Sequence, residues 1–147
     1  MRFLIVLLIT LLSQNLYSQA LNKRDLARID SAKNLILNLG SPFSENLQIH
    51  VGAITTWGGN YSTCYADVGK SGTIYLTEKE VKFGNVTNLA AAIVHESFHL
   101  RFQFYGEYPD TEELLCYEYE LLFLEKLPQA DNWLIEHCKK MIEFYSD

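Results

Sequence analysis

The spacing of apolar residues changes character along the chain, and each change predicts an element. Leu26, Ile29, Ile36 and Leu37 fall near helical spacing, Gly40 supplies a C-terminal stop and Pro42 stands just beyond, so a first helix is predicted over Leu21 to Leu39. From Leu47 to Thr77 the period becomes two: Leu47, Ile49 and Val51 alternate, then Tyr61, Thr63 and Tyr65, then Ile74 and Leu76. Gly58-Gly59-Asn60 and Gly69-Lys70-Ser71-Gly72 supply turns between these runs, which predicts a three-stranded antiparallel meander. Beyond Gly84, residues Ala90, Ala91, Ala92, Ile93, Val94, Phe98 and Phe102 predict a mostly buried helix that ends before Gly106 and Pro109. Asp110 or Thr111 can cap a further helix to about Lys126, with Glu112 and Glu113 in its first turn, where the helix dipole favours negative charge. After Pro128, residues Trp133, Leu134, Cys138, Met141, Ile142 and Tyr145 form one stripe of a last helix. The fold class expected from this order is α+β.

A chain of 147 residues suits one hydrophobic core. Its start has the character of a secretory signal over residues 1–20: Arg2, an apolar run from Phe3 to Leu12, and small residues at Ser18-Gln19-Ala20, with one domain expected over 21–147. No later stretch reaches the roughly 20 apolar residues of a membrane helix, so the processed chain is expected in the periplasm or the medium, without a membrane span. Removal of the signal takes Arg2 from 12 basic residues and leaves 11 against 18 acidic ones, a formal charge of −7. With no Lys/Arg cluster, nucleic acid is not an expected partner. Cys64, Cys116 and Cys138 permit at most one internal disulfide in an exported chain, and their spacings match neither a disulfide framework nor a metal-binding CxxC, so all three are also readable as buried apolar residues.

The chemistry is concentrated in His95-Glu96-Ser97-Phe98-His99, which matches His-Glu-x-x-His. Residues four apart lie one helical turn apart on one face, about 6 Å along the axis, so two imidazoles can converge on one ion. Glu96 lies to one side of that pair, where it can take a proton from a zinc-activated water instead of ligating. A third protein ligand leaves a fourth position open, the arrangement of a hydrolytic site. The pentapeptide is short, and its context strengthens it: the motif sits within an apolar helix, where two histidines and a carboxylate are costly to bury without a compensating partner.

At this motif the chain resembles the HExxH zinc metallopeptidases, over roughly Gly52 to Lys126. The resemblance implies a zincin-like unit of meander sheet, motif helix and following ligand helix, a Zn2+ cofactor and a peptide or protein substrate. The metzincin branch would need Gly and His where this chain has Phe102 and Tyr105, so the likeness is to a small gluzincin, in which the third ligand is a Glu on the next helix. Glu113-Leu114-Leu115-Cys116-Tyr117 is similar to the Glu-x-x-Ala-Tyr pattern on the ligand helix of small HExxH families and makes Glu113 the favoured ligand beside His95 and His99. Glu118, 19 residues after His99, is the rival if the two helices run antiparallel, whereas a steep crossing brings Glu113 close. Glu112 and Glu120 are taken as solvated helix charges.

In gluzincins an edge strand upstream of the motif helix pairs with extended substrate, a role that Thr73 to Thr77 could fill by strand addition or decline as an ordinary core strand. Tyr105 and Tyr117 could donate to a developing oxyanion, although nine tyrosines in one small protein make packing the commoner role. His50 and His137 are expected to be structural or exposed, and Asn60 and Asn85 match the glycosylation acceptor pattern. The leading expectation is a secreted zinc-dependent metallopeptidase with Glu96 as the catalytic base. Its alternatives are an inactive zinc-binding exported module that acts in partner binding, and a metal-free inhibitor or interaction protein.

Overall fold

The computed structural model describes residues 22–40, 48–51, 65–67, 73–102 and 109–147. The signal region, the run Tyr61 to Thr63, both glycine turns, Cys64, Asn60 and Tyr105 lie outside the described residues. Five helices and three short strands make up the described chain: α1 Lys23–Asn38, β1 Gln48–Val51, β2 Tyr65–Asp67, β3 Thr73–Leu76, α2 Glu78–Phe83, α3 Val86–Phe102, α4 Pro109–Leu124 and α5 Asn132–Ser146.

The expected α+β fold on a three-stranded antiparallel meander is corrected. Helix dominates, and the strands form a small mixed sheet in the order β1-β3-β2. β1 pairs parallel with β3, Ile49 opposite Ile74, and only β2 runs antiparallel to β3, Ala66 opposite Ile74. Alternation of apolar residues tells which side chains share a face but not which strand lies beside which. Thirteen residues separate β1 from β2 in the sequence, more than a tight hairpin needs, so β1 can take a parallel neighbour instead. The same order places β3 in the middle of the sheet, flanked on both sides. Within the stretch Thr73 to Thr77, β3 is thus the central strand of the described sheet, with Ile74 and Leu76 fully buried, and Thr77 caps the next helix.

Local chemistry sets the helix ends. Asn22 and Asp25 form a capping box that opens α1, and Gly40, with φ +67°, follows its C-cap Leu39. The short helix α2 has no counterpart among the elements expected from apolar spacing. Its marks are a Thr77 hydroxyl that accepts the Glu80 N–H at 3.1 Å and a terminating Gly84. Asn85 opens α3: its side-chain oxygen accepts the Asn88 N–H at 2.7 Å, while its amide donates to Asp131 at 2.8 Å. Asp131 stands at the start of α5, so one side chain ties the beginnings of two helices together. Pro109 stands at the first position of α4, where its missing N–H costs nothing.

α3 is the centre of the molecule. α1 and the strands β2 and β3 pack on it, α4 packs along it as well, and α5 packs on α4. A helix enclosed on several sides needs apolar residues around its circumference, and Leu89, Ala90, Ala91, Ile93 and Val94 are buried in it. Alanine at 90 and 91 lets neighbouring backbones approach. Ile29, Ala32 and Ile36 from α1, Phe123 and Leu124 from α4, and Leu134 and Cys138 from α5 complete the core. Trp133, placed by its spacing on the buried stripe of α5, is instead 61% exposed. Among the described residues no helix is long and apolar enough to cross a membrane.

Candidate metal centre

The motif falls in the second half of α3, where the buried apolar run passes into His95 and Glu96, both themselves buried. His95 and His99 meet edge to face with ring centroids 5.2 Å apart, as helical spacing requires. The wall opposite is α4. His95 Nδ1 donates to Glu120 at 3.1 Å, and His99 Nδ1 donates to Glu112 at 2.7 Å. These two contacts run in opposite order along the two helices, so α3 and α4 are antiparallel across the site.

With each Nδ1 spent on a carboxylate, both Nε2 atoms turn toward Glu113. His95 Nε2 lies 3.4 Å from Glu113 Oε2, and His99 Nε2 lies 3.6 Å from Glu113 Oε1. A neutral imidazole protonated on Nδ1 presents a lone pair at Nε2, and an ionised carboxylate presents only lone pairs. With both rings neutral, acceptors face acceptors, and either a bound cation or an extra proton on an imidazole must lie between them. Two atoms bound to one tetrahedral zinc at about 2.0–2.1 Å stand roughly 3.3–3.4 Å apart, close to the separations seen here. The donors present fit a metal ion at His95 and His99 with Glu113 facing both through separate oxygens, while the set whose ligand atoms all lie within 4.8 Å of one another is His95, His99 and Cys116. The outer carboxylates fit as well, since a ligating imidazole is oriented by the partner of its other ring nitrogen.

The electrostatics point the same way. Burial alone would lower the proton affinity of His95, yet its bonds to Glu113 and Glu120 and the charge of Glu96 outweigh burial and lift its pKa to about 10. In the metal-free protein, an extra proton on His95 is thus the charge that these carboxylates recruit. Burial raises Glu96 above the ordinary carboxylate range, against the opposing pull of His95 and His99. Glu113 shows the reverse balance: burial raises it, but its hydrogen bond to His95 and the charges of both histidines hold it below that range. Its side chain is 32% exposed, against 10% for Glu112 and 7% for Glu120, so Glu113 is the carboxylate that meets the open side of the centre.

Glu118, Glu112 and Glu120 depart from their expected roles. Glu118 is solvent-exposed, because five residues beyond Glu113 is well off the facing side of α4. Being level with the histidines along an antiparallel helix does not bring a side chain to face them. Glu112 and Glu120, expected to be solvated, are buried and hold the imidazoles. Cys116 is fully buried, as one reading of the cysteines expected, and also places a possible ligand atom within 4.8 Å of those of His95 and His99. The spacing Glu112, Cys116, Glu120 recurs every four residues and so was readable as one helix face; it was hidden because acidic residues on helices are commonly solvated.

Tyr117, one residue further along α4, meets the His95 ring edge-on at 4.5 Å. His137 on α5 is exposed and reaches the edge of Tyr117 at 5.9 Å. Comparison with protein-family models, with curated proteins and with solved structures finds no match.

Proposed function

We propose that the protein is a zinc-dependent hydrolase of peptide bonds, in which His95, His99 and Glu113 hold the ion and Glu96 is the general base. The observation that carries this reading is the convergence of both Nε2 atoms on Glu113 while both Nδ1 atoms are held by separate carboxylates. A bound zinc ion supplies a water of pKa near about 7 and polarises the scissile carbonyl. Glu96 is buried next to His95 on the same helix, and in this reading it takes the proton of the attacking water and returns it to the leaving amine. Glu112 and Glu120 hold the ring tautomers that keep the two Nε2 lone pairs aimed at one point. The signal-like start of the chain supports action outside the cytoplasm.

The test is metal analysis combined with a cleavage assay on unfolded protein. Wild type should bind one zinc and show chelator-sensitive cleavage, and Glu96→Gln should keep the zinc and lose hydrolysis. Full activity in Glu96→Gln would refute the assignment of the base.

Cys116 favours a second reading. A thiolate added to two imidazoles and a carboxylate would close the fourth position, and closed four-coordinate zinc sites are structural. The protein would then be a zinc-stabilised exported module that binds a partner. Cobalt substitution separates the two readings: a sulfur-to-metal charge-transfer band that disappears in Cys116→Ser would establish the closed site, and its absence leaves the open, hydrolytic one.

A further inference from the structure

A line of aromatic rings leads away from the metal centre and has no part in the chemistry proposed above. Tyr117 meets the His95 ring at 4.5 Å, edge to face. Tyr145, near the end of α5, lies almost parallel to Tyr117, with ring centroids 6.0 Å apart and planes inclined by 16°. Phe144 meets Tyr145 at 5.0 Å, nearly perpendicular. The line thus begins at an imidazole of the candidate centre and ends at a phenyl ring that is 67% exposed.

Packing accounts for the inner part of this line but not for its outer end. Tyr117 is half-buried and belongs to the rim of the core. Phe144 contributes little to that core, and a large apolar ring left in water gives up the free energy of burial. Tyr145 is joined to the centre through Tyr117, the ring that meets His95. A peptide whose carbonyl lay at the metal centre would carry a neighbouring side chain over Tyr117 and Tyr145.

We propose that Tyr117, Tyr145 and Phe144 form the specificity wall of the site and take an aromatic side chain adjacent to the scissile bond. This inference rests on the hydrolase reading. Offset and edge-on ring contacts supply the selectivity, since such pairs contribute beyond simple area burial. α5 thereby acquires a role in substrate choice in addition to packing on α4.

The test uses the full zinc-loaded chain carrying Glu96→Gln, so that peptide binds without being cleaved. Two hexapeptides identical except for Phe or Ser at one central position are titrated by calorimetry, and zinc content is measured on each sample. The Phe peptide should bind roughly tenfold more tightly, the scale of one aromatic contact. In Tyr145→Ala and, independently, Phe144→Ala, that preference should shrink to within about twofold while zinc stoichiometry and Ser-peptide affinity hold. Phe144 is exposed, so its variant tests the wall even if Tyr145→Ala folds poorly. Equal binding of both peptides by the parent, or an undiminished preference in both variants, overturns the wall and leaves the hydrolase reading standing. Failure of the zinc-loaded parent to bind either peptide would sink both.

Discussion

The Glu112 carboxylate accepts the Nδ1–H of His99 at 2.7 Å, a short charge-assisted bond in a nearly closed environment. An ionised carboxylate can only accept, so this contact puts a proton on Nδ1 and leaves Nε2 facing Glu113, where the proposed ion would bind. Glu120 does the same for His95 from two turns further along α4.

Removal of either outer carboxylate should therefore weaken metal binding without abolishing it. Glu112→Ala and Glu120→Ala are each expected to lower zinc affinity by about 10- to 100-fold. Glu112→Gln, whose amide oxygen still accepts, should recover part of the loss. Competition titration with a chromogenic chelator checks this, and affinities equal to wild type would show that the two imidazoles need no support.

The third ligand is separable from its neighbour by position on one helix. Glu113→Ala should bring bound zinc well below one equivalent, as His99→Ala should, whereas Glu118→Ala should leave it at one. Elemental analysis of dialysed protein decides the matter, and retention of full zinc by Glu113→Ala would transfer the role to another group, with Cys116 first in line.

Metal removal should cost stability, because the buried carboxylates then face one another with only protons between them. A ligand present at about a thousand times its Kd adds about 4 kcal/mol to the folded state, so chelation should lower Tm by at least about 5 °C for a domain of this size. Differential scanning calorimetry with and without chelator measures it. An unchanged Tm in protein shown to have been loaded beforehand would mean that the centre holds no ion of consequence.

The junction that launches the motif helix should be sensitive to a single methyl group. A Cβ at Gly84 would stand 2.7 Å from the Glu80 carbonyl oxygen, a backbone atom that cannot swing aside. Gly84→Ala is expected to destabilise by about 1–3 kcal/mol, as overpacking does. Urea unfolding at saturating zinc would show the lowered midpoint. A neutral result would mean that the α2–α3 corner yields freely.

Much of the candidate site was legible in order along the chain but not in space. His95, Glu96 and His99 declare themselves, because the four-residue spacing of ligands is a property of any α-helix and needs no knowledge of the neighbours. Glu113 was reachable through the likeness of its surroundings to a known ligand helix. Glu112, Glu120 and Cys116 were not assigned, since a carboxylate in a helix has the same local signature whether it faces water or an imidazole. The rotation of α4 against α3 decides between those fates, and packing sets that rotation.

The fold divides along the same line. Helices α1, α3, α4 and α5 were readable from apolar periodicity and end signals, which are local, and α2 was missed because a helix of six residues is too short to show a period. The sheet order was not readable. Alternation in the strands is compatible with several neighbours, and β1 pairs with β3 through contacts between segments distant in sequence. By itself, then, the sequence determined the helices and the pair of histidines that share a turn. Tertiary structure alone decided the mixed sheet, the exposure of Trp133 and Glu118, and the carboxylates that aim the imidazoles, because each depends on which helix face or strand edge another segment covers.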